Sequence, residues 1–141
     1  MIRLTRRYRF CASHRLHSAG LSDAENRELY GKCNNPYGHG HDYALDVSVR
    51  GPLDSESGRV VDLAALDGLV REQIVDALDH RDLNKEVAAF AEGLVPTTEN
   101  LAVEIRSRLA SRWSQVFPGE GLALDGIRIQ ETKRNRIELP D

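Results

Sequence analysis

Two stretches of two-residue alternation constrain this chain more than any other feature. Ile2, Leu4, Tyr8, Phe10 and Ala12 alternate with Arg3, Thr5, Arg7, Arg9 and Cys11; Tyr43, Leu45, Val47 and Val49 alternate with Ala44, Asp46, Ser48 and Arg50. Successive side chains of a strand point to opposite faces, so residues 2–12 and 41–50 each read as a strand with one apolar face. Gly51-Pro52 ends the second, because proline has no N–H to give to a ladder. Such half-apolar strands need something to cover them, and the next segments supply it. Asp62 reads as a helix cap, followed by Leu63, Leu66, Val70, Ile74 and Leu78 at spacings of three and four, a helix over about 63–79. Pro96-Thr97-Thr98-Glu99 opens a second helix with Leu101, Ile105 and Leu109 on one stripe, stopped by Pro118-Gly119.

Leu122 and Leu124, then Ile127 and Ile129, make a third strand whose apolar parity slips at Asp125-Gly126, the mark of a bulge. Arg136 to Leu139 pairs with it as a short last strand through the Lys133-Arg134-Asn135 turn. The order ββααββ predicts an α+β fold: an antiparallel four-stranded sheet with two helices on one face. At 141 residues the chain is the size of one domain, so 1–141 is expected to be a single unit. The loops at 13–40 and 80–96 are long enough to suggest function.

A net charge of −3 leaves no global basic field for nucleic acid, though a local basic pocket for a small anion is compatible with it. No run approaches the roughly 18 apolar residues of a membrane span, and the arginine-rich start lacks a secretory apolar region. With only two cysteines, Cys11 and Cys33, a reduced cytoplasmic protein is the default expectation.

The histidines carry the chemistry. His39 and His41 share the parity of Tyr43 and Leu45, and His14 shares that of Phe10 and Ala12. All three rings would turn to the inward face, where they form a His₃ zinc site with the fourth position open; the alternative is three unrelated histidines. His17 has no periodic partner and reads as a surface or supporting residue. Cys33, just before the His39–His41 pair, is either a fourth ligand that closes the site or, unbound, a base or nucleophile. Asp79-His80 ends the first helix, either as capping residues or as a carboxylate orienting an imidazole for proton relay. Glu131 follows Ile127 and Ile129 on the apolar parity, and a carboxylate there needs an arginine such as Arg128 or Arg134, or a hydrogen-bonding ligand.

FCASHRL at 10–16, GKCNNPYGHGHDY at 31–43, LDHRDLN at 78–84, PTTEN at 96–100 and Glu131-Thr132 together resemble the 6-pyruvoyl-tetrahydropterin synthase family, in order and over nearly the whole sequence. The resemblance implies the tunnelling fold (T-fold), assembled as trimers stacked into a homohexamer with active sites at subunit interfaces. It implies zinc (Zn2+) on His14, His39 and His41, and Cys33 as catalytic base with Asp79 and His80 as relay partners across an interface. Glu131 is implied as the pterin anchor, with Thr97 and Thr98 lining the same pocket. The implied reaction converts 7,8-dihydroneopterin triphosphate to 6-pyruvoyl-tetrahydropterin with loss of triphosphate. The related 6-carboxytetrahydropterin synthases share these residues; CNNPYGHGH and PTTEN are more similar to the pyruvoyl branch. A branch that replaces the cysteine by glutamate does not match Cys33. The basic turn at 133–136 departs from the family pattern and suits either a triphosphate or a solvated turn.

Overall fold

The computed structural model describes all residues from Met1 to Asp141. Strand β1 (Ile2–His14) pairs antiparallel with β2 (His39–Gly51), β2 with β4 (Ala123–Gln130), and β4 with β5 (Arg136–Pro140). A two-residue strand β3 (Arg81–Asp82) runs parallel to β1 at Ala12–Ser13, giving the order β3-β1-β2-β4-β5. The expectation of four antiparallel strands is thereby corrected to a mixed sheet of five. Two residues are too few to alternate, so β3 leaves no pattern in the sequence.

Helix α1 (Asp23–Tyr30) occupies the first long loop, opened by a capping box between Ser22 and Glu25. After it, a 3₁₀ turn (Gly31–Asn34) carries Cys33. The segment expected to be one regular helix over 63–79 is α2 (Leu63–Val70), a wider π-helical turn (Arg71–Val75) and α3 (Asp76–Leu78). Asp62 caps α2 as expected, its side chain accepting from the amides of Ala64 and Ala65. Short helices α4 (Leu83–Glu86) and α5 (Ala88–Ala91) fill the second long loop, and α6 (Thr98–Val116) follows. The two helices expected are thus accompanied by three smaller ones, α1, α4 and α5. No helix is long and apolar enough to cross a membrane.

Strand parity decides the core. Phe10, Tyr43, Leu45, Val47, Ile127 and Ile129 pack in one buried cluster with Leu66, Ile74 and Leu78, and with Leu101, Ile105 and Leu109 of α6. The opposite face holds polar ladders: Asp46 accepts from Arg7 and Arg128, and Thr5 and Ser48 share a 2.7 Å hydrogen bond. The bulge expected at Asp125-Gly126 is present. Val47 faces Ile127 but Val49 faces Leu124, so β4 carries one residue more than β2. Gly126 sits at φ 121°, and a Cβ there would meet the Leu139 carbonyl oxygen at 3.0 Å. The slip restores the inward parity of Ile127 and Ile129 and carries it on toward Glu131.

Candidate active site

His14 closes β1 directly opposite His39, and His41 lies opposite Ala12. The three imidazoles meet edge-on, with ring centroids 4.7–5.0 Å apart. One nitrogen from each ring lies within 4.8 Å of the others. The structure thus brings together the three histidines that strand parity turns to one face. Pro96 fixes His14: its carbonyl oxygen is 2.8 Å from Nδ1. A carbonyl can only accept, so Nδ1 carries the hydrogen and Nε2 presents a lone pair, 3.1 Å from Nε2 of His39. Gly38 makes the approach possible; it has φ 74°, and a Cβ would come 3.1 Å from the His14 carbonyl oxygen.

Burial depresses the basicity of His14 and of His39, which favours the neutral, ligating form. Nε2 of His41 is buried with no hydrogen-bond partner. An orphaned buried nitrogen costs on the order of 1–3 kcal/mol unless something satisfies it. Three imidazole nitrogens converging around such an atom are a donor set that fits a cation of the zinc type. Cys33 is not part of the cluster, so the arrangement is three-histidine with an open side rather than closed by a thiolate.

Glu131 faces this centre. One carboxylate oxygen is 3.6 Å from Nε2 of His41, and the other accepts a short hydrogen bond from the buried Thr98 hydroxyl. Arg128, a candidate structural partner, instead pairs with Asp46 at 2.8 Å. Thr97 and Thr98 divide their roles: Thr97 caps α6 by accepting from the Asn100 amide at 3.1 Å, and Thr98 fixes Glu131. Both line a cavity of ≈ 400 Å³ with Cys33, Glu131, Arg134 and Arg136. Within the one chain, then, the thiol, the carboxylate and the two threonines share one space.

Cys33 is anchored by its carbonyl, which accepts from the Leu16 amide at 2.8 Å. Burial, and then the negative charge of Glu131, push its thiol up from its ordinary value, which favours the thiol over the thiolate. Asn34, which sequence reasoning missed, braces this turn: its side-chain amide donates to the Leu16 carbonyl at 2.7 Å and to Nδ1 of His17 at 3.0 Å. Its only sequence signal was its place between Cys33 and Pro36 in an otherwise polar loop.

Asp79 and His80 are together but not with Cys33. Asp79 sits 3.0 Å from Nδ1 of His80 and accepts the Cys11 amide at 2.8 Å. That backbone hydrogen bond is the main reason its carboxyl lies below the usual range, with the His80 contact adding to it. His80 is the single non-glycine residue at positive φ, 59°, and its side chain is 81% exposed. It lines a separate cavity of ≈ 510 Å³ at the β1–β3 edge with Cys11, His41 and Asp42.

The comparisons with known proteins bear on this geometry. The family model described as 6-pyruvoyl tetrahydropterin synthase matches residues 3–140. The chain belongs to the 6-pyruvoyl tetrahydropterin synthase family. It is 52% identical over 134 residues to the 6-pyruvoyl tetrahydrobiopterin synthase of Drosophila melanogaster, covering 95% of this chain and 76% of that protein. The structure of Caenorhabditis elegans 6-pyruvoyl tetrahydropterin synthase superposes with TM-score 0.87 at 40% identity, covering 99% of this chain and 95% of that one. The α+β T-fold expected from the motifs is that family's fold. By contrast, the putative 6-carboxy-5,6,7,8-tetrahydropterin synthase of Archaeoglobus fulgidus is 29% identical over 122 residues, 86% of this chain and 90% of that protein.

Proposed function

We propose that this protein is a zinc-dependent lyase that converts 7,8-dihydroneopterin triphosphate to 6-pyruvoyl-tetrahydropterin with release of triphosphate. The observation that carries it is the three-histidine cluster with an orphaned Nε2, set beside a hydroxyl-braced carboxylate and a thiol-lined cavity. Identity of about half to the synthases of the pyruvoyl branch supports that branch over the carboxy one.

Glu131 would accept the paired donors of an aminopyrimidine edge on its two oxygens, which Thr98 holds in orientation. His14, His39 and His41 would hold zinc, which when bound supplies a Lewis acid that makes the C–H protons beside the pterin's side-group oxygens more acidic. Cys33 would then move those protons at Sγ. Because burial favours the thiol over the thiolate, it needs a base, and Asp79 leaves Nε2 of His80 free for that role by engaging Nδ1. His80 lines a different cavity from Cys33 in the same subunit, so the relay partner comes from a second copy. This reading implies a homohexamer of single-domain subunits, built as a dimer of trimers, with sites at subunit interfaces. Two free cysteines agree with a reducing, cytoplasmic setting. The pterin ring gains the reducing equivalents that its substituent loses, so no external oxidant is required.

Incubation with dihydroneopterin triphosphate, with products identified by mass, tests the reading. The pyruvoyl product with free triphosphate is expected. Acetaldehyde with 6-carboxytetrahydropterin would overturn it in favour of the carboxy branch.

A further inference from the structure

Several arginines of the sheet are matched to carboxylates: Arg3 and Arg50 to Asp125, Arg6 to Asp67, Arg7 and Arg128 to Asp46. One cavity departs from this. A space of ≈ 470 Å³ is lined by Arg15, Arg27 and Lys32 with Asn34, Asn35 and a single carboxylate, Asp23. None of the three cations forms an ion pair with any other residue. Arg15 is held in place, its Nε donating to the Asn34 carbonyl at 3.1 Å, while its two terminal nitrogens have no acceptor. Three unmatched cations around one concavity, in a protein of net charge −3, are a local field suited to an anion.

The cavity adjoins the proposed site through the backbone itself. Lys32 and Asn34 flank Cys33 on the same 3₁₀ turn, and Arg15 follows His14. That turn therefore serves two spaces: Cys33 lines the cavity of Glu131, and its two neighbours line the basic one. We propose that Arg15, Arg27 and Lys32 bind the triphosphate group of the substrate and hold it as it leaves. The proposal rests on the synthase reading above and adds the subsite that the reading lacks. A guanidinium held by one edge offers its remaining donors as a fork to phosphate oxygens, and a lysine beside it supplies a mobile point charge. The competing location is the Arg134 and Arg136 pair. Those two arginines share their cavity with Glu131 and Glu99, whose negative charges oppose an anion.

The test titrates the zinc-loaded, full-length protein with inorganic tripolyphosphate and follows steady-state turnover in parallel. Arg27 and Lys32 are exposed and unpaired, so Arg27→Gln and Lys32→Gln are expected to fold normally. Each should weaken tripolyphosphate binding about tenfold and reduce its salt dependence. Each should also raise KM for the pterin triphosphate, while inhibition by unphosphorylated dihydroneopterin stays as in wild type. Wild-type tripolyphosphate affinity in both variants would overturn the proposal, as would a loss confined to Arg136→Gln. Binding of tripolyphosphate through these cations by a wild-type protein that does not convert the pterin would uphold the anion cavity and retire the synthase reading instead.

Discussion

The three histidines and the Asp79–His80 pair are both groups of titratable side chains at the end of β1, yet they are built in opposite ways. His14 is 1% exposed, with its tautomer set by the Pro96 carbonyl, and its partners come from the strand hydrogen-bonded to it. His80 stands at positive φ with its ring in solvent, its side chain paired with its neighbour Asp79 and its amide donating to the Cys11 carbonyl at 2.6 Å. The first group is complete within one subunit apart from what its orphaned nitrogen calls for. The second carries backbone strain, of order 1–3 kcal/mol for a non-glycine residue there, while its imidazole is paired with nothing in the same chain beyond Asp79. Strain of that kind persists where function selects it, which fits a residue presented to another copy of the protein.

The largest expected effect breaks the two regions apart by metal analysis. The purified protein should hold about one zinc per subunit, and His39→Ala or His41→Ala should lose most of it together with activity. His80→Ala and Cys33→Ala should keep the metal and lose roughly 10²–10⁴ in turnover. Full zinc in both histidine-pair variants would end the assignment of the cluster as a metal centre.

The next prediction concerns the separation of Cys33 from His80. Light scattering should show an assembly of at least a trimer at micromolar concentration. Unfolding and refolding Cys33→Ala and His80→Ala subunits together should then give activity well above the sum of the two alone, because some interfaces pair an intact thiol with an intact imidazole. No gain from mixing, in assemblies shown to contain both variants, would place the relay within one subunit.

How far the two regions were legible beforehand follows from the same contrast. Parity along β1 and β2 was enough to bring His14, His39 and His41 to one face, and parity past the bulge was enough for Glu131. Those side chains sit on long, regular strands, where a period of two carries information over many residues. Thr97 as cap was readable for a different reason, since a hydroxyl before an acidic first turn has a local meaning. Cys33 lies on a four-residue 3₁₀ turn, and His80 on a junction between α3 and a strand of two residues. Neither has a period, so only motif resemblance linked them. The π-helical turn at Arg71–Val75 left the apolar spacing of the first helix nearly intact and was invisible to it.

A smaller effect is expected at Glu131. Replacing it by glutamine removes the charge from a pair of acceptors, and a hydrogen bond to a charged group contributes about 1.5–3 kcal/mol, so pterin binding should weaken by about ten- to a hundredfold. Since Arg128 is already committed to Asp46, the melting temperature should change little. A large stability loss with unaltered pterin affinity would make Glu131 structural. Thr98→Val should reproduce part of the affinity loss by freeing the carboxylate it holds.

The smallest effect separates the site from the opposite face of the sheet by pH. Hydrogen bonds from Arg7, and secondarily from Arg128, hold the Asp46 carboxyl below its ordinary value. A depressed folded-state value means that the unfolded state binds the proton first. This contribution is therefore fully present above the unfolded value of about 3.9 and fades as pH falls through the lower folded value. The proposed zinc centre should respond earlier, because protons compete with a metal for imidazole nitrogens whose unperturbed value is about 6.5. On acidification the protein should release zinc while the sheet still melts cooperatively, and lose sheet stability only below about pH 4. In Asp46→Asn the stability at neutral pH should drop modestly, since its arginine partners are largely solvated, and the decline on acidification should become shallower. Zinc release in that variant should keep the wild-type pH dependence. If instead metal loss and melting shift together, the ladders of the outer face and the histidines of the inner face form one cooperative unit, and the contrast between them fails.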